Sequence, residues 1–200
     1  DGQDGGNDYY RGTCYFAKEI KADELPEGEI KYLQFDGVNS SCEVFWNGKS
    51  ITKHDGGYST FRVQVKDVKD SNLLVVAVDN SANDRVYPQN ADFTFYGGIY
   101  RDVSLIGVNE NHFDLDYYGS PAIMVTPEIK GADAEIEIKT FFKEGNCKVR
   151  YEIIADGLSK SNGVYYVFTA SGLNTINKMF ADKKTFFIFV KYMSWILCIK

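Results

Sequence analysis

Short apolar runs, separated by turn residues and without a 3.6-residue period, organise the first half of the chain. Gly12 to Ile20 (GTCYFAKEI) is the first strand candidate, and a turn around Pro26-Glu27-Gly28 follows it. Ile30 to Phe35 sets Ile30, Tyr32 and Gln34 against Lys31, Leu33 and Phe35, with strand-favouring types on both faces. Cys42 to Trp46 runs into Asn47-Gly48, whose tolerance of positive φ makes it a strong hairpin signal, so Ser50 to Thr52 is expected to pair back. Phe61 to Val65 alternates, placing Phe61, Val63 and Val65 inward and Arg62 and Gln64 outward. Leu73 to Val78 is a continuous apolar run and predicts a central strand covered on both faces. Ile99 to Val108 closes the series. His54 to Thr60, with its paired glycines, is a predicted loop. So is the aperiodic stretch from Asp79 to Phe95, and loops of that length are usually functional or disordered.

A second unit starts near Asn109. Phe113 to Tyr118, Ala122 to Val125, Ala134 to Phe142 and Lys148 to Ile154 are strand-like again. That covers half of an immunoglobulin-like sandwich, which needs about 100 residues. From Leu158 the composition shifts to Phe, Lys, Ile, Asn and Tyr with no Glu, and the pattern resolves no strands that would complete the sandwich. The predicted class is all-β, with domains at 1–109, 110–157 and an atypical tail at 158–200.

Charge narrows the partners. The net charge is −6, and six Lys against one Asp after Leu158 leave −11 on the first 157 residues. Nucleic acid is disfavoured, because phosphate binding needs a concentrated basic surface. Phe186 to Ile199 is apolar but short and interrupted by Lys191, so no membrane span is predicted. The four cysteines (Cys14, Cys42, Cys147, Cys198) form no C-x-x-C pair, which argues against zinc. Cys14 and Cys42 sit in strand-like runs and read as buried free thiols, in keeping with a reducing, cytoplasmic setting. The first residues carry no signal-peptide pattern, and the chain is expected to start partway through a longer protein.

Few residues carry chemistry. Asp84 with Asp92, and Asp114 with Asp116, are the acidic pairs, but they read as solvated surface charge and no catalytic pair is proposed. His54 and Asp55 lack a G-x-S-x-G partner, and His54 reads as an ordinary loop residue. Asn39-Ser40-Ser41 matches a glycosylation acceptor and reads as a turn. The informative segment is Val78 to Asp102, where a polar loop returns through Asp92, Phe93, Phe95, Tyr96 and two glycines into a strand. A carboxylate beside aromatic rings suits sugar recognition: an acceptor for hydroxyls and an apolar face for ring C–H groups. The same aromatics could equally pack beneath the loop.

The order NGK (Asn47 to Lys49), HDGGYSTF (His54 to Phe61), LLVVAVDN (Leu73 to Asn80) and ADFTFYGGIYRDVSLI (Ala91 to Ile106) resembles the N-terminal domain of glycoside hydrolase family 2 over roughly residues 9 to 110. The resemblance implies a jelly-roll sandwich, then an immunoglobulin-like sandwich, then a (β/α)₈ barrel carrying both catalytic glutamates. A barrel of about 250 residues does not fit in this chain, which alone is expected to be inactive. Catalytic residues and metal ligands are therefore expected in the barrel, where the full enzyme uses Mg and Na ions, and no cofactor is expected here. By the same resemblance Asp92 is a substrate-contact residue, while Arg101 and Asp102 hold the strand and interdomain contacts. The wording PQNADFTFYGG favours the β-galactosidase branch, hence a galactoside substrate, and homo-oligomers are expected because terminal domains in this family often make subunit contacts. A structural subunit-interface role and a free-standing carbohydrate-binding module are the alternatives. The change near Leu158 suggests a fragment whose tail comes from a truncated or shifted reading frame.

Overall fold

A computed structural model of the chain describes residues 10–89, 91–92, 95–130 and 133–142, and the backbone of strands within 147–199; side chains are described to Phe142, apart from 130–135. The chain is all-β and divides into two compact units, residues 1–107 with 195–200, and residues 108–194. Only one short 3₁₀ turn, Ala22–Glu24, interrupts the strands among the described residues. No described helix is long and apolar enough to cross a membrane.

The first unit is a sandwich of two four-stranded sheets. One contains β1 (Thr13–Lys21), β7 (Ser71–Asp79), β4 (Ser41–Trp46) and β5 (Lys49–Asp55), in that order. The other contains β16 (Trp195–Ile199), β9 (Val103–Val108), β2 (Ile30–Phe35) and β6 (Phe61–Val65). The short strands β3 (Val38–Asn39) and β8 (Gly98–Ile99) pair at one end. Alternation along β4 and β7 explains the packing. Val44 and Trp46 stand opposite Val76 and Leu74, and all four are at most 4% exposed. Leu33, Phe35 and Leu105 of the second sheet join them in one core, with the Phe35 and Phe61 rings stacked at 4.8 Å. The Asn47-Gly48 turn has φ of 51° and 81°, and it joins β4 to β5 as a hairpin with a bulge between Val44 and Phe45.

Three expectations are corrected. β7 is central, but its burial alternates and Leu73 is 47% exposed. Both faces carry apolar residues because strand propensity, as well as burial, favours them. Ile99 to Val108 is not one strand, because the backbone leaves the ladder at 100–102 before β9. Cys14 is exposed, since β1 is a sheet edge whose only buried residue is Ile20; Cys42 is buried as expected, and both thiols are free. The side chains of Cys147 and Cys198 lie outside the described residues.

The second unit holds two three-stranded sheets. β10 (Ile123–Lys130), β11 (Asp133–Phe142) and β14 (Gly172–Ala181) form one; β13 (Leu158–Val167), β12 (Cys147–Ala155) and β15 (Phe186–Val190) form the other. Beyond Leu158, where the sequence pattern resolves no strands, the backbone runs as β13 to β16. Phe113 to Tyr118 is corrected from strand to turn. Only Phe113 bridges, to Phe142, while the Asp114 carboxylate accepts from the Asp116 amide at 3.1 Å and folds the chain over.

One glycine shows how tightly the first unit is closed. A Cβ at Gly107 in β9 would collide with the backbone carbonyl of Glu27, which cannot swing aside as a side chain would. Gly107→Ala is expected to destabilise the first unit by about 1–3 kcal/mol, as read from the urea midpoint. Gly48→Asn, where nothing lies within 4 Å and Asn tolerates the conformation, is expected to change it far less. Equal midpoints for the two variants would contradict this packing.

Candidate functional site

The loop from Asn80 to Gly97 leaves the end of β7 and returns into β8, and two buried asparagines hold it. Asn80 accepts from the Gly12 amide at 2.8 Å and donates to the Tyr10 carbonyl at 3.0 Å, tying the start of the loop to the chain entering β1. A Cβ on Gly97 would meet the Asn80 side chain at 2.6 Å, so the loop's end rests on its beginning. This close approach is why glycine stands there. Asn39, 3% exposed, donates to the Tyr96 carbonyl at 2.8 Å and to Gln89 Oε1 at 3.4 Å, and its own Oδ1 accepts from the Tyr87 hydroxyl at 3.4 Å. The expectation of a turn at Asn39 is thereby corrected: it lies in β3 with its amide spent inside the protein.

Aromatic rings cover the base of the loop. Tyr58 stacks on Tyr87 at 5.3 Å and 16°, meets Tyr100 edge-on at 6.2 Å, and Phe95 tilts against Tyr87 at 6.2 Å. Burial, together with a hydrogen bond to Tyr58, pushes the Tyr87 hydroxyl up to about 12. Tyr100 donates to the Gly57 carbonyl. Arg101 lies 5.2 Å over the Tyr100 ring and donates to the carbonyls of Asp36 and Tyr58 at 3.3 and 3.4 Å. The expected strand-holding role of Arg101 thus has a concrete form within this unit.

Asp92 sits on this loop, exposed, and its carboxylate takes no hydrogen bond among the described residues. Of the neighbouring aromatics, Phe95 is buried, as packing beneath the loop requires, and Tyr96 is 63% exposed. Phe93 lies outside the described residues. The sequence pattern missed Asn39, Tyr58 and Tyr87, because their partners are far along the chain.

His54 and Asp55 do not form a catalytic relay. Both lie in β5, and the Asp55 carboxylate goes to Arg85 at 3.1 Å. His54 Nε2 instead lies 2.9 Å from Ser59 Oγ and 3.2 Å from the Gly56 carbonyl, with its ring stacked on Phe61 at 4.1 Å. Among the described residues no group of three or more His, Cys, Asp or Glu side chains could hold a metal ion.

Burial disfavours the imidazolium and lowers the His54 pKa below 6.5, outweighing the Gly56 carbonyl and Asp55. The unfolded chain therefore takes up the proton first. This contribution to stability is present above pH 6.5 and is lost as the pH falls through the folded value. An NMR titration is expected to place His54 below 6.5, and His54→Leu is expected to lose less stability than the wild type between pH 7 and 5. A midpoint at or above 6.5 would contradict the half-buried, stacked geometry.

Comparison with known proteins agrees with this architecture. Residues 4–109 match the family model described as glycosyl hydrolases family 2, sugar binding domain. A β-glucuronidase of Bacteroides fragilis is 32% identical over 75% of this chain and 23% of its own length. A β-galactosidase of Thermoanaerobacter pseudethanolicus is 31% identical over 72% of this chain and 20% of its own. Among solved structures, an FMN-binding β-glucuronidase from Facaelibacterium prausnitzii L2-6 superposes with a TM-score of 0.81 at 31% identity, covering 98% of this chain and 33% of that one. The chain thus spans about a quarter of the length of the curated relatives it matches. It belongs to glycosyl hydrolase family 2, and its first sandwich is that family's sugar-binding domain.

Proposed function

We propose that this chain forms one wall of the sugar pocket in a family 2 enzyme that hydrolyses terminal β-D-galactosides. The observation that carries the proposal is the exposed Asp92 carboxylate on a loop fastened by Asn39 and Asn80. A carboxylate offers up to four acceptor sites and suits adjacent sugar hydroxyls. Its task is positioning: bond-making requires an acid/base and a nucleophile, for which this chain offers no candidate pair, and which the proposal assigns to a catalytic barrel. The Mg and Na ions expected for the full enzyme would likewise be held by the barrel. Homo-oligomers through this region remain part of the proposal.

A β-glucuronide is the second reading, favoured by the name of the Bacteroides fragilis relative. Charge supports the first. A glucuronate would bring its own carboxylate towards Asp92, and like charges repel. Arg85, the nearest loop cation in sequence, is engaged by Asp55.

The test uses the full-length enzyme carrying this region, with p-nitrophenyl β-D-galactoside and p-nitrophenyl β-D-glucuronide as substrates. The wild type is expected to prefer the galactoside. Asp92→Ala is expected to lower kcat/KM by about 10- to 100-fold, the loss of one charge-assisted hydrogen bond, with the unfolding midpoint unchanged. A preference for the glucuronide would overturn the substrate assignment. An unchanged kcat/KM in Asp92→Ala would leave this region a structural, subunit-contact role.

A further inference from the structure

At the opposite end of β7 from the Asp92 loop, a cleft of about 450 Å³ opens between β5 and β6, the facing edge strands of the two sheets. The nine residues of β7 (Ser71–Asp79) separate the two ends by roughly 26 Å at about 3.3 Å per residue. Its floor is apolar, made by Trp46, Ile51 and Val63 from the edge of the core. Lys49, Lys66 and Lys69 stand around it with Asp67 as the one acidic lining residue, which leaves two positive charges in excess. The chain as a whole carries −6, so the cleft is opposite in sign to the protein around it. Lys49 pairs with Asp67 at 2.9 Å, whereas the ammonium groups of Lys66 and Lys69 have no ion-pair partner among the described residues.

The rim is rigid. Asn72, 1% exposed, accepts from the Lys69 amide at 2.8 Å and from Asn47 Nδ2 at 3.1 Å, and donates to the Lys69 carbonyl at 2.8 Å. Asn47 Nδ2 also donates to the Asp67 carbonyl at 3.1 Å. Asn47 and Asp67 have φ of 51° and 54°, the left-handed region that Asn and Asp enter most readily among non-glycine residues. Trp46, 2% exposed, keeps its indole N–H without an acceptor among the described residues.

We propose that this cleft is a saccharide-anchoring site, separate from the catalytic pocket, for an anionic pyranose unit of an acidic oligosaccharide. The apolar floor matches the C–H face of a sugar ring, and the free ammonium groups of Lys66 and Lys69 match its carboxylate or sulfate. The volume lies within the range of small-ligand pockets. An anchor here holds a chain whose other end lies a sandwich's length away, raising the local concentration of substrate without touching the reacting bond.

Isothermal titration calorimetry on the full-length enzyme, its catalytic pocket blocked by a covalent inactivator, tests this. The probes are an oligogalacturonide tetramer, a sulfated galacto-oligosaccharide, neutral galactotetraose and inorganic sulfate. At least one acidic oligosaccharide is expected to bind, with a Kd on the order of 0.1–1 mM, and the better of the two identifies the anion. Lys66→Ala/Lys69→Ala is expected to raise that Kd at least tenfold, and Lys66→Met/Lys69→Met to do the same while retaining the apolar stems. The melting temperature and turnover of a p-nitrophenyl glycoside are expected to stay at wild-type values. Acidic-probe affinity unchanged in both double variants overturns the proposal, as does equal binding of galactotetraose. Equal binding of inorganic sulfate would reduce the cleft to a bare anion patch and also overturn it.

Discussion

Burying one face of each four-stranded sheet against the other is the constraint on which the first unit depends. Once Val44, Trp46, Leu74 and Val76 meet Leu33, Phe35 and Leu105 in the core, the strand ends are fixed and the connecting loops must satisfy backbone groups the ladders leave open. Asparagine does this work at both ends. Its amide offers two donors and an acceptor in one short side chain. Asn80 and Asn39 fasten the loop that carries Asp92, and Asn47 and Asn72 fasten the rim of the lysine-lined cleft. The core decides where these four amides stand.

What was legible in the sequence was what is local. The Asn47-Gly48 hairpin followed from two residues that accept positive φ, and the alternation of Phe61 to Val65 gave the inward face of β6, with Phe61 and Val65 buried and Val63 packed against the core. The motif from Ala91 to Ile106 carried the family resemblance, which the match over residues 4–109 supports. Asp92 was singled out by that resemblance and not by any local pattern.

What was not legible depends on partners far apart in sequence. Asn39 and Tyr96 are 57 residues apart and Asn80 and Gly12 are 68 apart, so neither contact leaves a local signal. The Tyr58–Tyr87 stack is hidden in the same way. Cys14 failed for a different reason: its apolar neighbours in β1 describe a strand, but a strand at a sheet edge need not be covered. The apolar run of Leu73 to Val78 misled similarly, since apolar side chains on both faces of a strand do not require burial on both.

The fastened loops change the energetics of recognition more than their contacts suggest. An exposed carboxylate on a freely moving loop would spend much of its binding free energy on being ordered, at about 1–2 kcal/mol for each backbone residue fixed. Asn39 grips the Tyr96 carbonyl and Gly97 is seated on Asn80, so the return of the loop into β8 is held by the sandwich itself. In the role proposed for Asp92, hydrogen bonds to a sugar would have that much less ordering entropy to offset. The same reasoning holds at the other end of β7, where Asn72 fixes the backbone at Lys69 and leaves only the lysine side chains to be ordered. The two proposed sites would then stand at opposite ends of one sandwich, so that a change in either loop alters one of them without disturbing the core that sets their separation.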